Sequence, residues 1–244
     1  MRKIFFIALV LTSFHFGLPT FATTIDTSLP KRKLRMAYTD FPPFQEETPQ
    51  GPRGIIVDQA KKIAEQAGYE VEMIHVPFKR MQSELASGNV DIWIGLTHYK
   101  EFKGNTLIGR KTVLSLELMT YSMNQEIMAK DLSELKKYRL ITFYGYTYGG
   151  LADEIHDPKN HFNFIEVKDN DQALHLLKSR RADVFLNYRP VMETWLKDSP
   201  QPQLKSHLFK AFQAHIAVSQ KTPDGPEILK NLEQVLPSPV ANAP

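Results

Sequence analysis

Apolar residues at Val57, Ala60, Ile63, Ala64 and Ala67 recur at the three-and-four spacing that lines one face of a helix. Asp58 stands in the first turn, where a negative charge complements the helix dipole, and Gly68 is placed to end the run. Residues 34–38 ahead of it read as a strand, and residues 71–76 behind it alternate toward another, closed by Pro77. A second helix is expected over 79–87, ending at Gly88, and then a strand over 90–96. That last strand is so uniformly apolar that cover on both of its faces is expected. Strand, helix, strand, helix, strand in this order builds a parallel sheet. In open sheets of this kind a ligand sits outside the carboxyl ends of the strands.

The second half repeats the theme. Residues 139–143 read as a strand leading to Gly145, 147–155 as a helix, and 162–167 as a strand. Residues 171–179 form a helix with Ala173, Leu174, Leu176 and Leu177 as its apolar set, and 182–187 a buried strand. Asp91 and Asp183 occupy matching places, each two residues into an apolar strand that follows a helix end and a short polar turn. The expected fold class is therefore α/β, with two lobes that are each a mostly parallel sheet flanked by helices. Lobe one takes residues 33–115 and 214–244, lobe two residues 116–213. Residues 113–122 and 214–219 are the two crossing strands that join them. The closing helix, 226–236, presents Ile228, Leu229, Leu232 and Val235 to lobe one. Paired crossing strands make a hinge on which lobes close around a ligand.

The front of the chain changes the setting. Arg2 and Lys3 precede an apolar stretch over 4–17, and Thr20-Phe21-Ala22 offers small residues where a signal peptidase cuts. Cleavage after Ala22 and release into the periplasm are expected, with residues 23–32 as a solvated lead-in. Losing Arg2 and Lys3 lowers the formal charge from +3 to +1, since residues 1–22 contain no acid. No basic stripe remains to favour nucleic acid. The chain has no cysteine, which excludes disulfides and a lipid-modified cysteine, so stability rests on burial in a mature chain of about 220 residues. Beyond the leader no apolar segment is long enough to span a bilayer.

Catalytic signatures are missing. There is no G-x-S-x-G elbow, no H-E-x-x-H and no cysteine nucleophile. His156 and His161 flank Pro158 and do not share a helix face, and the glycine-bearing run 145–150 lacks the Lys-Ser/Thr ending of a phosphate loop. The expectation is a monomeric, non-enzymatic binder with no cofactor and no metal.

With these residues in place the chain resembles the extracellular solute-binding proteins of the amino-acid type, family 3, which share the type II periplasmic-binding fold. The resemblance rests on Thr39-Asp40-Phe41-Pro42-Pro43-Phe44, on Gly54 and Asp58 entering the first helix, and on Pro77-Phe78 with Leu85, Gly88, Val90 and Asp91. Gly95-Leu96-Thr97, Gly145-Tyr146-Thr147 and Ala182-Asp183 complete it. It implies a small-molecule solute as ligand and an inner-membrane ABC permease as partner. A stand-alone sensory or scavenging protein that signals through a membrane receptor is the alternative, and a dehydratase-like enzyme on the same fold is a more distant one.

The resemblance also implies which positions face the ligand. Phe41, beside Asp40, and Phe78 match the aromatic walls that sandwich a ligand side chain. Gly95 and Thr97 match the strand end that holds a carboxylate, and Tyr146 and Thr147 follow Gly145 in the second-lobe loop. The family's carboxylate-clamping arginine falls at Phe102 and its ammonium-binding acid at Tyr188, so both charged handles are replaced. Arg80, Arg189, Lys100 and Lys103 are the cations near enough in sequence to substitute. A cation-edged aromatic cleft is expected, with an anionic or aromatic ligand. Trp93, inside an apolar strand, reads as core, and of Tyr144, Tyr146 and Tyr148 only Tyr146 is expected to touch ligand.

Overall fold

A computed structural model of the chain describes residues 31–99, 102 and 104–237. The expected export signal, most of the lead-in, and Lys100 and Lys103 lie outside the described residues. Strand β1 (Lys33–Tyr38) leads through a proline-rich loop to helix α1 (Ile55–Gln66), then to β2 (Glu70–His75), α2 (Met81–Ser87), β3 (Ile92–Gly95) and the short β4 (Thr106–Ile108). Strand β5 (Leu114–Ser122) and a single helical turn, α3 (Leu132–Leu135), precede β6 (Arg139–Phe143), α4 (Leu151–His156), β7 (Asn163–Val167) and α5 (Asn170–Lys178). The chain ends through β8 (Val184–Tyr188), α6 (Arg189–Asp198), β9 (Lys205–Ser219) and α7 (Gly225–Gln234).

The nine strands form one mixed sheet in the order β2-β1-β3-β9-β5-β8-β6-β7, with β4 paired to β9 off this path. At one end β1 runs parallel to both β2 and β3. At the other β6 runs parallel to both β7 and β8. Between them stand β9 and β5, antiparallel to each other and to their outer neighbours β3 and β8. The fifteen residues of β9 pair with β5 over Lys205–Ala214 and with β3 from His215 onward, so one long strand is shared by both parallel wings. Among the described residues no helix is long and apolar enough to cross a membrane.

Packing follows the sequence pattern. Helix α1 buries Ile56, Val57, Ala60, Ile63 and Ala64, and α7 buries Ile228 and Leu232. The main core gathers these helices with the inward residues of β5, β6, β8 and β9. A second, smaller cluster on the β1–β3 wing joins Ala37, Val76, Met81, Leu85, Val90, Trp93, Phe102 and Ala217.

Three expectations need correction. The two lobes, expected as a mostly parallel sheet each, are parallel wings of one continuous mixed sheet. The helix expected over 147–155 starts only at Leu151, because Tyr148, Gly149 and Gly150 adopt positive φ angles of 48°, 64° and 91° that no α-helix accepts. The strand expected at 214–219 is the tail of β9. Its first part alternates exposed and half-buried residues, Leu208 being 52% exposed, and so lacks a clean apolar face. Helix α6 has no counterpart in the sequence expectations: Arg189 opens it, and Pro190 sits in its first turn, where its missing N–H costs nothing. Strands β4 and the short α3 are too brief to leave a periodic signal.

Candidate functional site

The carboxyl ends of β1, β3, β6 and β8 open on a cleft of about 280 Å³. From the loop after β1 come Thr39, Asp40, Phe41 and Gln45, and from the turn before α2 comes Phe78. Strand β3 and the segment after it supply Trp93, Gly95, Leu96 and Tyr99. The facing wall is Tyr144, Gly145, Tyr146 and Thr147 after β6, with Tyr188 at the end of β8.

Local structure holds these groups in place. Phe41 N–H donates to Gln45 O at 2.7 Å, and Phe44 N–H and Gln45 N–H return to Phe41 O, closing a tight turn. The Phe41 ring stacks on Phe44 at 4.8 Å and meets Tyr146 and Tyr188 edge-on, each at 5.3 Å. Edge-to-face pairs at this separation are favourable contacts that also fix orientation. Tyr148 is buried beneath the facing loop: its phenol oxygen accepts from Phe143 N–H at 2.6 Å and donates to Leu186 O at 3.2 Å. Tyr148 therefore anchors the run that carries Tyr146. Burial pushes the Tyr146 phenol up to about 12, and burial first, with the neighbouring Tyr99 and Tyr146 phenols, lifts Tyr188 well above its ordinary value, so both hydroxyls are neutral donors at neutral pH.

Two further contacts join the loop after β3 to the loop after β6. His98 Nε2–H donates to Gly149 O at 2.8 Å, and the Tyr99 hydroxyl and Thr147 Oγ1 lie 3.0 Å apart in a hydrogen bond. His98 also stacks between Tyr99 at 4.5 Å and Phe212 at 6.2 Å. Trp93 owes its position to small neighbours: in register it lies between Ala37 on β1 and Ala217 on β9. Gly95 is required for the same reason, since a Cβ there would fall 2.4 Å from the indole ring.

Of the sequence-expected positions, Asp40, Phe41, Phe78, Gly95, Tyr146, Thr147 and Tyr188 line this cleft. Four do not. Phe102 is fully buried in the smaller core cluster, where an apolar ring belongs. Thr97 is 6% exposed, below the cleft surface. Arg80 points to a separate recess of about 160 Å³ and is held there by Glu84, its partner one turn along the helix. Arg189 turns to Glu117 on the neighbouring β5. The expected cationic edge is thus not formed by either arginine. Among the described lining residues the one formal charge is Asp40, which accepts from Glu47 N–H and pairs with His75 Nε2 at 2.9 Å. No group of three or more potential metal ligands occurs among the described residues.

The lining residues without a sequence expectation of ligand contact include Gln45, Trp93 and Tyr144. Tyr144 is 71% exposed at the mouth, and an exposed aromatic beside Gly145 was the available signal. Trp93 belongs both to the core and to the cleft floor, which periodicity cannot separate.

An open cleft at strand ends, floored by one parallel wing and walled by another, is the arrangement of the type II periplasmic-binding fold, and solved structures share that fold. An ancestral arginine-binding protein bound to arginine superposes with a TM-score of 0.59 at 23% identity, over 84% of this chain and 90% of that one. A histidine kinase sensor domain with similarity to periplasmic binding proteins gives 0.60 at 19%, over 84% and 88%. The GluR0 ligand-binding core in complex with L-glutamate gives 0.62 at 15%, over 86% and 93%. No curated protein sequence matches the chain. Residues 34–175 match the bacterial extracellular solute-binding proteins, family 3, and the chain belongs to that family.

Proposed function

We propose that the chain is a periplasmic protein, exported by residues 1–22, that captures a small polar or aromatic solute in this cleft and delivers it to an inner-membrane ABC permease. The observation that supports this reading most directly is the composition of the cleft. Aromatic rings from both walls converge on it, and Asp40 is the one charge among its described lining residues. Such a site favours flat or amphipathic solutes through ring contacts and a few hydrogen bonds. In this reading the wings act as lobes, residues 33–115 with 214–244 against residues 116–213, and β5 and β9 are the hinge strands. The pairs His98–Gly149 and Tyr99–Thr147 are contacts of the closed form.

The ligands named for the similar structures are arginine, glutamine and glutamate. Here the two charged handles that the family resemblance assigns to a zwitterion are Phe102 and Tyr188, so α-amino acids are expected to be poor ligands. A second reading, sensing through a membrane receptor, is favoured by the histidine kinase sensor domain among the similar structures. Both readings need the same solute-driven closure.

Thermal shift on protein refolded to strip carried-over ligand tests the proposal, with amino acids, small carboxylates and amides, aromatic acids and short peptides as the panel. A ligand at a hundred times its dissociation constant adds about 2.7 kcal/mol of stability. Phe78→Ala should lose affinity about tenfold or more while melting close to the parent, since Phe78 is a half-buried wall residue. Unchanged affinity in that variant removes Phe78 from the site. Micromolar binding of a standard amino acid overturns the handle argument.

A further inference from the structure

The cleft lining contains two polar atoms that are buried and without a hydrogen-bond partner, Trp93 Nε1 and Gln45 Oε1. The two residues are 3% and 2% exposed. Thr142 Oγ1 and His207 Nε2 are also unpartnered, but neither residue lines the cleft. A buried donor or acceptor left unpaired destabilises a fold, so native structures rarely keep one without a use.

The indole is not a loosely placed side chain. Ala37 and Ala217 flank it in register, and Gly95 clears the space over which Nε1 lies, 2.8 Å from where a Cβ would stand. Three small residues on two neighbouring strands and on β3 itself thus fix the indole of this lining residue, with its N–H against Gly95. An indole N–H only donates, and a glutamine amide is uncharged and offers a carbonyl or, on turning over, an amine. Neither neutralises a carboxylate, and both arginines once expected here are engaged by Glu84 and Glu117. A charged group pressed against buried neutral groups with no counter-charge is disfavoured.

We infer that Trp93 and Gln45 are the polar specificity determinants of the cleft. They select a solute that seats a ring among the aromatic walls and offers Trp93 an uncharged acceptor, a carbonyl or amide oxygen. Gln45 bonds a second uncharged polar group of the same solute. This inference rests on the solute-binding reading above and narrows it to neutral amides and related carbonyl compounds.

The test uses matched probes, nicotinamide and benzamide against nicotinate and benzoate, on the parent protein, Trp93→Phe and Gln45→Met. The chain has two tryptophans, so a Trp195→Phe background isolates Trp93 fluorescence. The amides should raise the melting temperature, change Trp93 emission, and bind at least tenfold more tightly than their acids. Each variant should bind the amides about tenfold more weakly, the loss of one hydrogen bond. Gln45→Met should melt no lower than the parent when ligand-free, because an unpaired group has been removed; this variant serves if Trp93→Phe folds poorly. Amides that bind parent and variants equally overturn the inference and leave the solute-binding reading intact. So does a preference for the acids, or binding of other solutes with none of the amides. A protein that takes no solute from either panel overturns both.

Discussion

Arg35 on β1 and Arg139 at the start of β6 make the same three bonds to the aspartate that immediately precedes the adjacent parallel strand, β3 or β8. In each case the backbone N–H and Nε donate to one carboxylate oxygen and Nη2 to the other: 2.8, 3.0 and 2.9 Å to Asp91, and 2.9, 2.9 and 2.7 Å to Asp183. The preceding turns match as well. Gly88 N–H returns to Leu85 O and Asn89 N–H to Glu84 O; Arg180 N–H returns to Leu177 O and Arg181 N–H to Leu176 O. Surroundings separate the two sites. Asp91 lies beneath the end of β9 and the turn that follows, where Thr222 Oγ1 adds a bond at 3.0 Å, and its side chain is 9% exposed. Asp183 lacks that cover and is 30% exposed. One local pattern therefore serves as a buried anchor in one wing and a half-exposed clasp in the other. What decides is not the motif but which distant segment packs over it.

The largest test of this contrast removes the two carboxylates in turn. Asp91→Ala should cost about 3 kcal/mol and Asp183→Ala about 1.5 kcal/mol, measured by urea denaturation at neutral pH. Equal losses would show that the cover from Thr222 is energetically irrelevant. The turns come next. Gly88 has φ +77° and its Cβ would stand 2.7 Å from Lys221 Cβ, whereas Arg180 occupies the equivalent place at φ +56°. Gly88→Arg should destabilise by about 2 kcal/mol, and Arg180→Gly should stabilise by up to about 1 kcal/mol as left-handed strain is relieved against added chain entropy.

Acid stability sharpens the comparison further. Burial pushes the Asp91 carboxyl up, but its bonds to Arg35 and Thr222 outweigh this and leave it below the usual range. Asp183 is held low first by the Arg139 side chain, against a smaller burial effect. Both folded values lie under the unfolded one, so their stabilisation is complete above about pH 4 and is lost as pH falls through the folded values. Melting should be flat near neutrality and fall below about pH 4, with a shallower acid limb in Asp91→Asn and in Asp183→Asn. The smallest expected effect lies between the wings. Tyr99→Phe removes the bond to Thr147 and should cost at most about 1 kcal/mol in the unliganded protein. A larger loss in ligand affinity than in stability would place that bond in the closed form.

The sequence by itself determined the repeating strand and helix units, because α1, β1, β3, β6 and β8 bury faces whose periodicity is local. It also determined the equivalence of Asp91 and Asp183, since each follows the same helix end and turn. Seven of the eleven residues expected to meet ligand line the cleft for a similar reason: they stand at strand ends, and strand ends share one rim. Only the tertiary structure decided where Phe102, Arg80 and Arg189 turn. A phenylalanine among Trp93, Met81 and Leu85 is drawn into the core, and an arginine goes to whichever acid the fold brings near, Glu84 along a helix and Glu117 across a strand pair. The tertiary structure likewise decided that Trp93 is both core and cleft floor. That outcome depends on Ala37 and Ala217, fifty-six and one hundred and twenty-four residues away, falling into register beside it. Long-range register leaves no periodic trace in a sequence, and it is register that turns an apolar strand into a binding surface.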